Sequence, residues 1–148
     1  GAILAHIGSP GLGDIARRGY VDMTRALRSP GSTLKPLVYG LAFEAGLAHP
    51  DGLIDDRPMR FGSYAPQNLD HRFVGTMTLR AALQQSRNLP AVALLDAVGP
   101  AELLARLRRA GIEPAFPEAR APGLAIVLGG VGVTLEDMVA LYAGIARG

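Results

Sequence analysis

A chain of 148 residues is long enough to form one domain with a buried core. Hydrophobic residues make up 49% of the chain and charged residues 19%, a balance that excludes a disordered polypeptide. The net charge is only +2, and aromatic residues make up 5%, so the composition argues against a nucleic-acid-binding surface. There is no cysteine, which excludes disulfides and thiolate metal sites, and the three histidines lie too far apart for metal-ligand spacing.

In the first half of the chain, the pattern of apolar and turn residues predicts a strand, a helix and a long loop. "AILAHIG", residues 2–8, is short, apolar and bounded by glycines, as is typical of a strand. Apolar residues at helical spacing predict a helix over about residues 32–45, with Gly46 as its stop. Residues 49–75 are rich in Pro, Gly, Asp and Asn and predict a long loop, which in a compact domain is often functional.

The second half of the chain is predominantly helical in its pattern. Apolar spacing and capping residues predict helices over residues 79–85, 89–98, 100–110 and about 134–146. Thr78 is the expected N-cap of the first of these, and Thr134 with Asp137 forms a capping box at the last. The short sequence "SRN", residues 86–88, separates the first two of these helices. No apolar run reaches the roughly 18 residues that a membrane span needs.

Ser32 and Lys35 stand three residues apart where the first helix is expected to begin. At this spacing two residues share a helix face with Cβ atoms about 5–6 Å apart, so the lysine amine can reach the serine hydroxyl. Serine is a weak nucleophile that needs a base, and lysine can serve when burial and nearby positive charge lower its pKa. The pair is therefore a candidate for an activated nucleophile with the Ser32 N–H as an oxyanion donor. The alternative is a helix cap at Ser32 and a solvated Lys35.

Ser86 and Asn88 form a second candidate pair between two predicted helices. A hydroxyl and an amide two residues apart in a tight connection can both face one cleft. The hydroxyl of Ser86 can relay a proton to or from Lys35, and the amide of Asn88 can hold a substrate backbone. The alternative is a capping serine followed by an asparagine turn.

The order of these pairs, together with longer stretches, resembles a known family. The stretches are "RSPGSTLKPLVYGLAFEAG", "DRPMRFGSYAPQNLDHRFVGTMTLRAALQQSRNLPAVALL" and "LGGVGVTLEDMVALYAGIARG". They resemble the transpeptidase domain of bifunctional class A penicillin-binding proteins, most of all those of the 1C type, over nearly the whole chain.

The resemblance implies an α/β fold of the penicillin-binding protein and serine β-lactamase type, in which helices pack on both sides of a mainly antiparallel sheet. Residues 1–148 would be a partial domain, mostly α-helical with one or two strands. Its active-site helix would lie at the centre, so we expect four apolar side chains of that helix to be deeply buried. They are Leu34, Leu37, Val38 and Leu41. The strand at residues 2–8 is expected to pair with another copy or with a C-terminal segment that this chain does not contain.

The resemblance also implies a role for each candidate residue. Ser32 matches the acylated nucleophile, Lys35 its general base, Ser86 the proton relay and Asn88 the residue that binds substrate amide. The implied reaction is D,D-transpeptidation of peptidoglycan stem peptides through an acyl-enzyme, which β-lactams also form, with no metal or organic cofactor. The implied location is the periplasmic side of the bacterial inner membrane, where the parent protein would be anchored.

The chain departs from the family pattern in one respect. The third family motif, Lys-Thr-Gly or a close variant, is absent, and Lys35 is the only lysine. We therefore expect the isolated chain to be inactive. A serine β-lactamase is a weaker alternative, because "SRN" replaces Ser-Asp-Asn and neither Glu113 nor Glu118 stands in a recognisable deacylating context. A non-catalytic helical module that binds peptide or protein through the long loop is the alternative from another class.

Overall fold

The computed structural model describes residues 2–116 and 123–148, and within them it is mostly helical. In chain order the elements are a 3-10 helix (Gly31–Leu34), α1 (Lys35–Glu44), β1 (Leu53–Asp56), β2 (Gly75–Thr78), α2 (Leu79–Gln84), α3 (Asn88–Val98), α4 (Pro100–Arg109), a second 3-10 helix (Leu124–Leu128) and α5 (Leu135–Arg147). The two strands form an antiparallel pair in which Leu53 lies opposite Thr78 and Asp56 opposite Gly75.

The core lies where α1 packs against α3, with α4 and the second 3-10 helix on its flanks. Leu34, Val38 and Leu41 are buried as predicted, at 0%, 0% and 3% exposed. Leu37 is only partly buried, so the prediction of deep burial is wrong for this residue. At about 100° per residue, Leu37 falls at the edge of the apolar stripe rather than at its centre. The buried stripe places the beginning of α1 in the middle of the domain.

The predicted helix over residues 32–45 is confirmed, although its first turn is 3-10 rather than α. Pro36 lies in the first turn of α1, where its missing N–H costs no helical hydrogen bond. Gly46 has a φ of +68°, and the N–H of Leu47 reaches back to the carbonyl of Ala42 at 2.9 Å. This left-handed glycine ends the helix.

Residues 2–8 do not form the predicted strand. They have no regular secondary structure, and the side chains of Ile3, Leu4 and Ile7 are 75%, 95% and 82% exposed. A strand needs a neighbouring strand to take up its backbone hydrogen bonds, and none lies beside this segment within residues 2–116 and 123–148, where a single backbone bond reaches it, from the N–H of Met23 to the carbonyl of Gly8 at 2.7 Å. The prediction of a strand is therefore wrong for the chain on its own. Its pairing with another copy or with a further segment stays a prediction.

The predicted loop over residues 49–75 contains β1, which the sequence analysis missed. β1 has only four residues, two of them aspartates, so neither length nor alternation marks it as a strand. Residues 57–74 have no regular helix or strand, and buried polar side chains hold them in place. The loop prediction is thus correct for the part of this segment that borders the candidate site described below.

The predicted helix beginnings in the second half are confirmed. The hydroxyl of Thr78 accepts a hydrogen bond from the N–H of Ala81 at 3.2 Å. Thr134 and Asp137 form the reciprocal capping box, with both bonds at 3.0 Å. Asn88, assigned to the interruption by the sequence analysis, is already the first residue of α3. The local capping chemistry therefore sets the helix positions around the site.

α3 and α4 meet at an angle of 85° around Gly99. In the described ranges no single helix is long and apolar enough to cross a membrane, whereas α3 and α4 taken together reach that length and composition. The arginines of α4 make surface ion pairs with Glu44, Glu102 and Glu113.

Candidate active site

The amine of Lys35 lies at the centre of the candidate site. Its side chain is 1% exposed, and Nζ lies 2.6 Å from the Ser86 carbonyl oxygen, 3.1 Å from Ser86 Oγ and 2.6 Å from Asn88 Oδ1. The predicted approach of the amine to a serine hydroxyl is thus present, and it is made to Ser86. A neutral amine can donate its two hydrogens to the two carbonyl-type oxygens and present its lone pair to the hydroxyl. The arrangement suits a base that exchanges protons with Ser86.

Burial and, as a smaller contribution, the positive charge of Arg87 together lower the pKa of Lys35 to about 8. Both causes disfavour the ammonium form, since a buried cation loses hydration and a second cation repels it. At pH 7 about a tenth of the side chains, and at pH 8 about half, are therefore the free amine, the form that a general base requires.

Ser32 is exposed and lies in the 3-10 helix that precedes α1. The N-cap of that helix is Pro30, and no side chain caps it, so the structure does not support a capping role for Ser32. Ser32 Oγ makes no hydrogen bond to any described residue, including Lys35. The hydroxyl is therefore free to meet a molecule in the cleft. Its N–H belongs to the first turn, where amides lack intrahelical acceptors.

A close approach of two glycines shapes the turn before Ser32. Gly31 has a φ of +56° and Gly129 a φ of +94°. A Cβ on Gly129 would lie 2.3 Å from Ser29 Oγ and 2.5 Å from the Gly31 nitrogen, so only glycine fits there. Ser29 Oγ also donates to the Gly129 carbonyl at 2.7 Å. The segment after the second 3-10 helix thus fixes the turn that presents Ser32.

Ser86 occupies the left-handed position at the end of α2, where glycine is the usual residue. Its φ is +53°. The N–H of Arg87 bonds to the carbonyl of Ala82 and the N–H of Ser86 to that of Leu83, both at 2.9 Å, which is the Schellman pattern. A side chain in this conformation is strained, and strain of this kind concentrates at functional sites. The turn directs both the hydroxyl and the carbonyl of Ser86 to Lys35.

The strain at Ser86 predicts a difference between two substitutions. Both Ser86→Gly and Ser86→Ala remove the hydroxyl that Lys35 contacts, but only glycine relieves the left-handed strain. We expect Ser86→Gly to be more stable than Ser86→Ala by about 1 kcal/mol. Urea unfolding of the two variants measures the difference. Equal stabilities would show that the turn stores no strain.

The candidate residues border an open cleft of about 490 Å³. The lining residues include Ser32, Ser86 and Asn88, and Leu128 contributes an apolar wall. Lys35 lies behind this surface, in contact with Ser86 and Asn88. The structure therefore brings all four predicted site residues to one place, with the nucleophile candidate exposed and the base candidate buried.

Three further residues adjoin the site, and no role was predicted for them from the sequence. Asp56, Asn68 and Arg87 are buried polar side chains, at 0%, 3% and 7% exposed. Asn68 lies in "YAPQNLD" and Arg87 in "SRN", two stretches that carry the family resemblance. Asp56 is the first residue of the longer quoted stretch that contains both, so a polar residue inside such a stretch was the available signal for all three.

Of the two carboxylates considered for a β-lactamase, Glu113 does not line the cleft. Glu113 is an exposed residue that pairs with Arg108 at 3.3 Å on the surface, and Glu118 lies outside the described residues. Residues 2–116 and 123–148 contain no cluster of three or more His, Asp or Glu side chains that could hold a metal ion.

Comparison with known proteins decides the family. The family model "Penicillin binding protein transpeptidase domain" matches residues 1–148. The chain belongs to the penicillin-binding protein transpeptidase family. It is 49% identical over 141 residues to penicillin-binding protein 1C of Escherichia coli K12, covering 95% of the chain and 18% of that protein. It is 39% identical over 119 residues to penicillin-binding protein 1F of Bacillus subtilis, covering 80% of the chain and 16% of that protein.

Solved structures confirm the predicted penicillin-binding transpeptidase fold. PonA1 of Mycobacterium tuberculosis, solved in complex with penicillin V, matches with a TM-score of 0.74 at 25% identity, over 84% of this chain and 36% of that one. Penicillin-binding protein 1A of Haemophilus influenzae matches with a TM-score of 0.72 at 24% identity, over 86% of this chain and 19% of that one. The chain thus spans less than a fifth of the length of the curated penicillin-binding proteins it matches.

Proposed function

We propose that this chain forms the nucleophile-bearing part of a serine D,D-transpeptidase that cross-links peptidoglycan stem peptides. The observation that carries the proposal is the buried Lys35 amine, which contacts Ser86 and Asn88. Ser32 nearby is exposed, and its hydroxyl has no hydrogen-bond partner within residues 2–116 and 123–148. Membership of the penicillin-binding protein family supports the same reaction class.

In the proposed acylation step, Ser32 Oγ attacks the carbonyl carbon of the penultimate D-Ala. The hydroxyl proton passes to the free amine of Lys35, directly or through Ser86 Oγ. The C–N bond to the terminal D-Ala breaks, and its nitrogen receives a proton through Ser86. The Ser32 N–H stabilises the oxyanion, while Asn88 holds the amide of the stem peptide.

In the second step, the amine of a neighbouring stem peptide attacks the acyl carbon. Its proton returns through Lys35 and Ser86, and Ser32 is released with a new peptide bond between the strands of peptidoglycan. A β-lactam enters the same first step. Its ring C–N bond opens, but the nitrogen stays tethered to the acyl group and blocks the second step.

The site in this chain is incomplete on this proposal. The chain has no Lys-Thr-Gly motif, which in the family lies on a strand beside the cleft. The missing strand would supply a second oxyanion donor, and loss of one such donor costs about 10²–10³ in rate. We therefore propose that residues 1–148 are a partial transpeptidase domain, inactive when isolated. In the complete protein it would act at the periplasmic side of the inner membrane.

The experiment is intact-mass analysis of the full-length protein after incubation with a fluorescent penicillin. We expect one adduct, located by fragmentation at Ser32 in the tryptic peptide of residues 29–60. An unlabelled full-length protein would overturn the proposal and favour a non-catalytic binding module. The same incubation of the 148-residue chain is expected to give no adduct, and labelling of that chain would contradict its proposed inactivity.

A further inference from the structure

A buried arginine joins the loop over residues 57–74 to the beginning of α3. The Arg87 guanidinium is 7% exposed; its Nε donates to Asp56 Oδ2 at 2.7 Å and its Nη1 to Asp70 Oδ2 at 2.9 Å. Its third nitrogen donates to the carbonyl of Arg72. One planar side chain thus donates to three acceptors, two of them in the loop. Because the guanidinium is rigid and planar, it fixes both the directions and the lengths of these hydrogen bonds.

The carboxylate of Asp56, which pairs with Arg87, also fixes the orientation of the Asn68 side chain. Asp56 is fully buried, and its Oδ1 accepts a hydrogen bond from Asn68 Nδ2 at 2.7 Å. Asn68 Nδ2 also donates to the Arg72 carbonyl at 2.8 Å. Both hydrogens of the amide nitrogen therefore have acceptors. The network assigns the amide orientation, with Oδ1 turned toward the site.

Asn68 Oδ1 accepts the backbone N–H of Asn88 at 2.7 Å. Asn88 is the first residue of α3, and the N-cap of that helix, Arg87, makes no side-chain capping bond. A residue from the distant loop thus satisfies one of the first-turn amides of α3, which have no acceptor within the helix. The carbonyl of Gln67 accepts Asn88 Nδ2 at 2.7 Å, so Asn88 Oδ1 is left for the amine of Lys35 at 2.6 Å.

We propose that Asn68 is a positioning residue: it fixes Asn88 and, through Asn88, the amine of Lys35. Arg87 and Asp56 hold Asn68 in the orientation that this role requires. The proposal rests on the proposed function, because a positioning role at Lys35 has a consequence only if that amine takes part in acylation.

Two substitutions test the role at different points of the network. Asn68→Ala removes the acceptor of the Asn88 N–H directly. Arg87→Lys keeps the charge opposite Asp56 but replaces the three-pronged guanidinium with an ammonium that cannot hold all three acceptors in one plane. Removing the charge altogether would leave a buried carboxylate unpaired and endanger folding.

The measurement is the time course of labelling of the full-length protein by a fluorescent penicillin, analysed for its rate constant and its amplitude. A small misplacement of a reacting group costs up to about 100-fold in rate. We expect Asn68→Ala to label to full amplitude with a rate constant 10- to 100-fold lower, and Arg87→Lys to fall between it and the wild type. A purely structural role would lower the amplitude, which reports the folded fraction, and leave the rate constant unchanged.

Each variant has a matched control. Gln84→Ala removes an exposed side-chain amide of α2 that does not line the cleft. Arg80→Lys repeats the arginine substitution at an exposed ion pair with Asp51. Both are expected to label at the wild-type rate.

Wild-type rate constants in both Asn68→Ala and Arg87→Lys would overturn the positioning role while leaving the proposed function intact. If Asn68→Ala does not fold, as judged by its thermal transition, the rate constant of Arg87→Lys decides alone. Failure of the wild-type protein to label would instead show that the proposed function, and this inference with it, is wrong.

Discussion

Replacement of Ser32 by alanine is expected to abolish the penicillin adduct and to leave stability almost unchanged. Removal of a catalytic serine costs about 10⁶ in rate in well-studied serine hydrolases. Because Ser32 is exposed and its hydroxyl makes no hydrogen bond within residues 2–116 and 123–148, its loss should alter the free energy of unfolding by less than about 0.5 kcal/mol. Intact-mass analysis of the full-length protein measures the first effect and urea unfolding the second.

The two measurements on Ser32→Ala also separate the nucleophile from the helix cap. Loss of a capping serine lowers the free energy of unfolding by about 0.5–2 kcal/mol. If Ser32 were only a cap, labelling would fall only as far as the fraction of folded protein falls. Ser63→Ala is the matched control, since Ser63 is an exposed serine on the loop away from the cleft lining. A Ser32→Ala protein that still forms the adduct would show that another residue is the nucleophile.

The local positions of Lys35, Ser86 and Asn88, at a helix beginning and in a tight connection, could be predicted because they depend on local rules. Apolar spacing defined α1, a threonine cap defined the beginning of α2, and the tight connection after α2 placed Ser86 and Asn88 together. The resemblance then supplied the pairing of these two distant segments. What local rules could not supply was the left-handed conformation of Ser86, which shows only in the backbone.

The parts that could not be predicted depend on partners distant in sequence. β1 is recognisable only from its register with β2, about twenty residues later. The ion pair of Asp56 with Arg87 joins residues 31 positions apart, and nothing in either local pattern announces it. For residues 2–8 a strand was predicted that the structure does not contain. An apolar pattern alone predicts a strand without showing whether a neighbouring strand is present to pair with it.

Replacement of Lys35 by methionine is expected to slow acylation by about 10²–10⁴, the usual contribution of a general base. Methionine is similar in length and flexible, so it can fill the buried space without a charge. Because burial and Arg87 lower the pKa of Lys35 to about 8, wild-type labelling should speed up as the pH rises through that value. The Lys35→Met protein should lack this rise. A variant that keeps the wild-type pH profile would exclude Lys35 as the base.

The stability of the chain should show the same titration. In the unfolded chain Lys35 has its ordinary pKa of 10.5, so between about pH 8 and 10.5 only the unfolded state keeps the proton. The wild type should therefore gain stability relative to Lys35→Met as the pH rises through this window, and the difference should be constant below it. Urea unfolding of both proteins at pH 7, 9 and 10.5 tests the sign. Because Lys35 is the only lysine and the tyrosines are common to both proteins, the difference isolates this amine. A difference that is flat or falls with pH would mean that the folded chain holds Lys35 as an ammonium, stabilised by its three oxygen contacts.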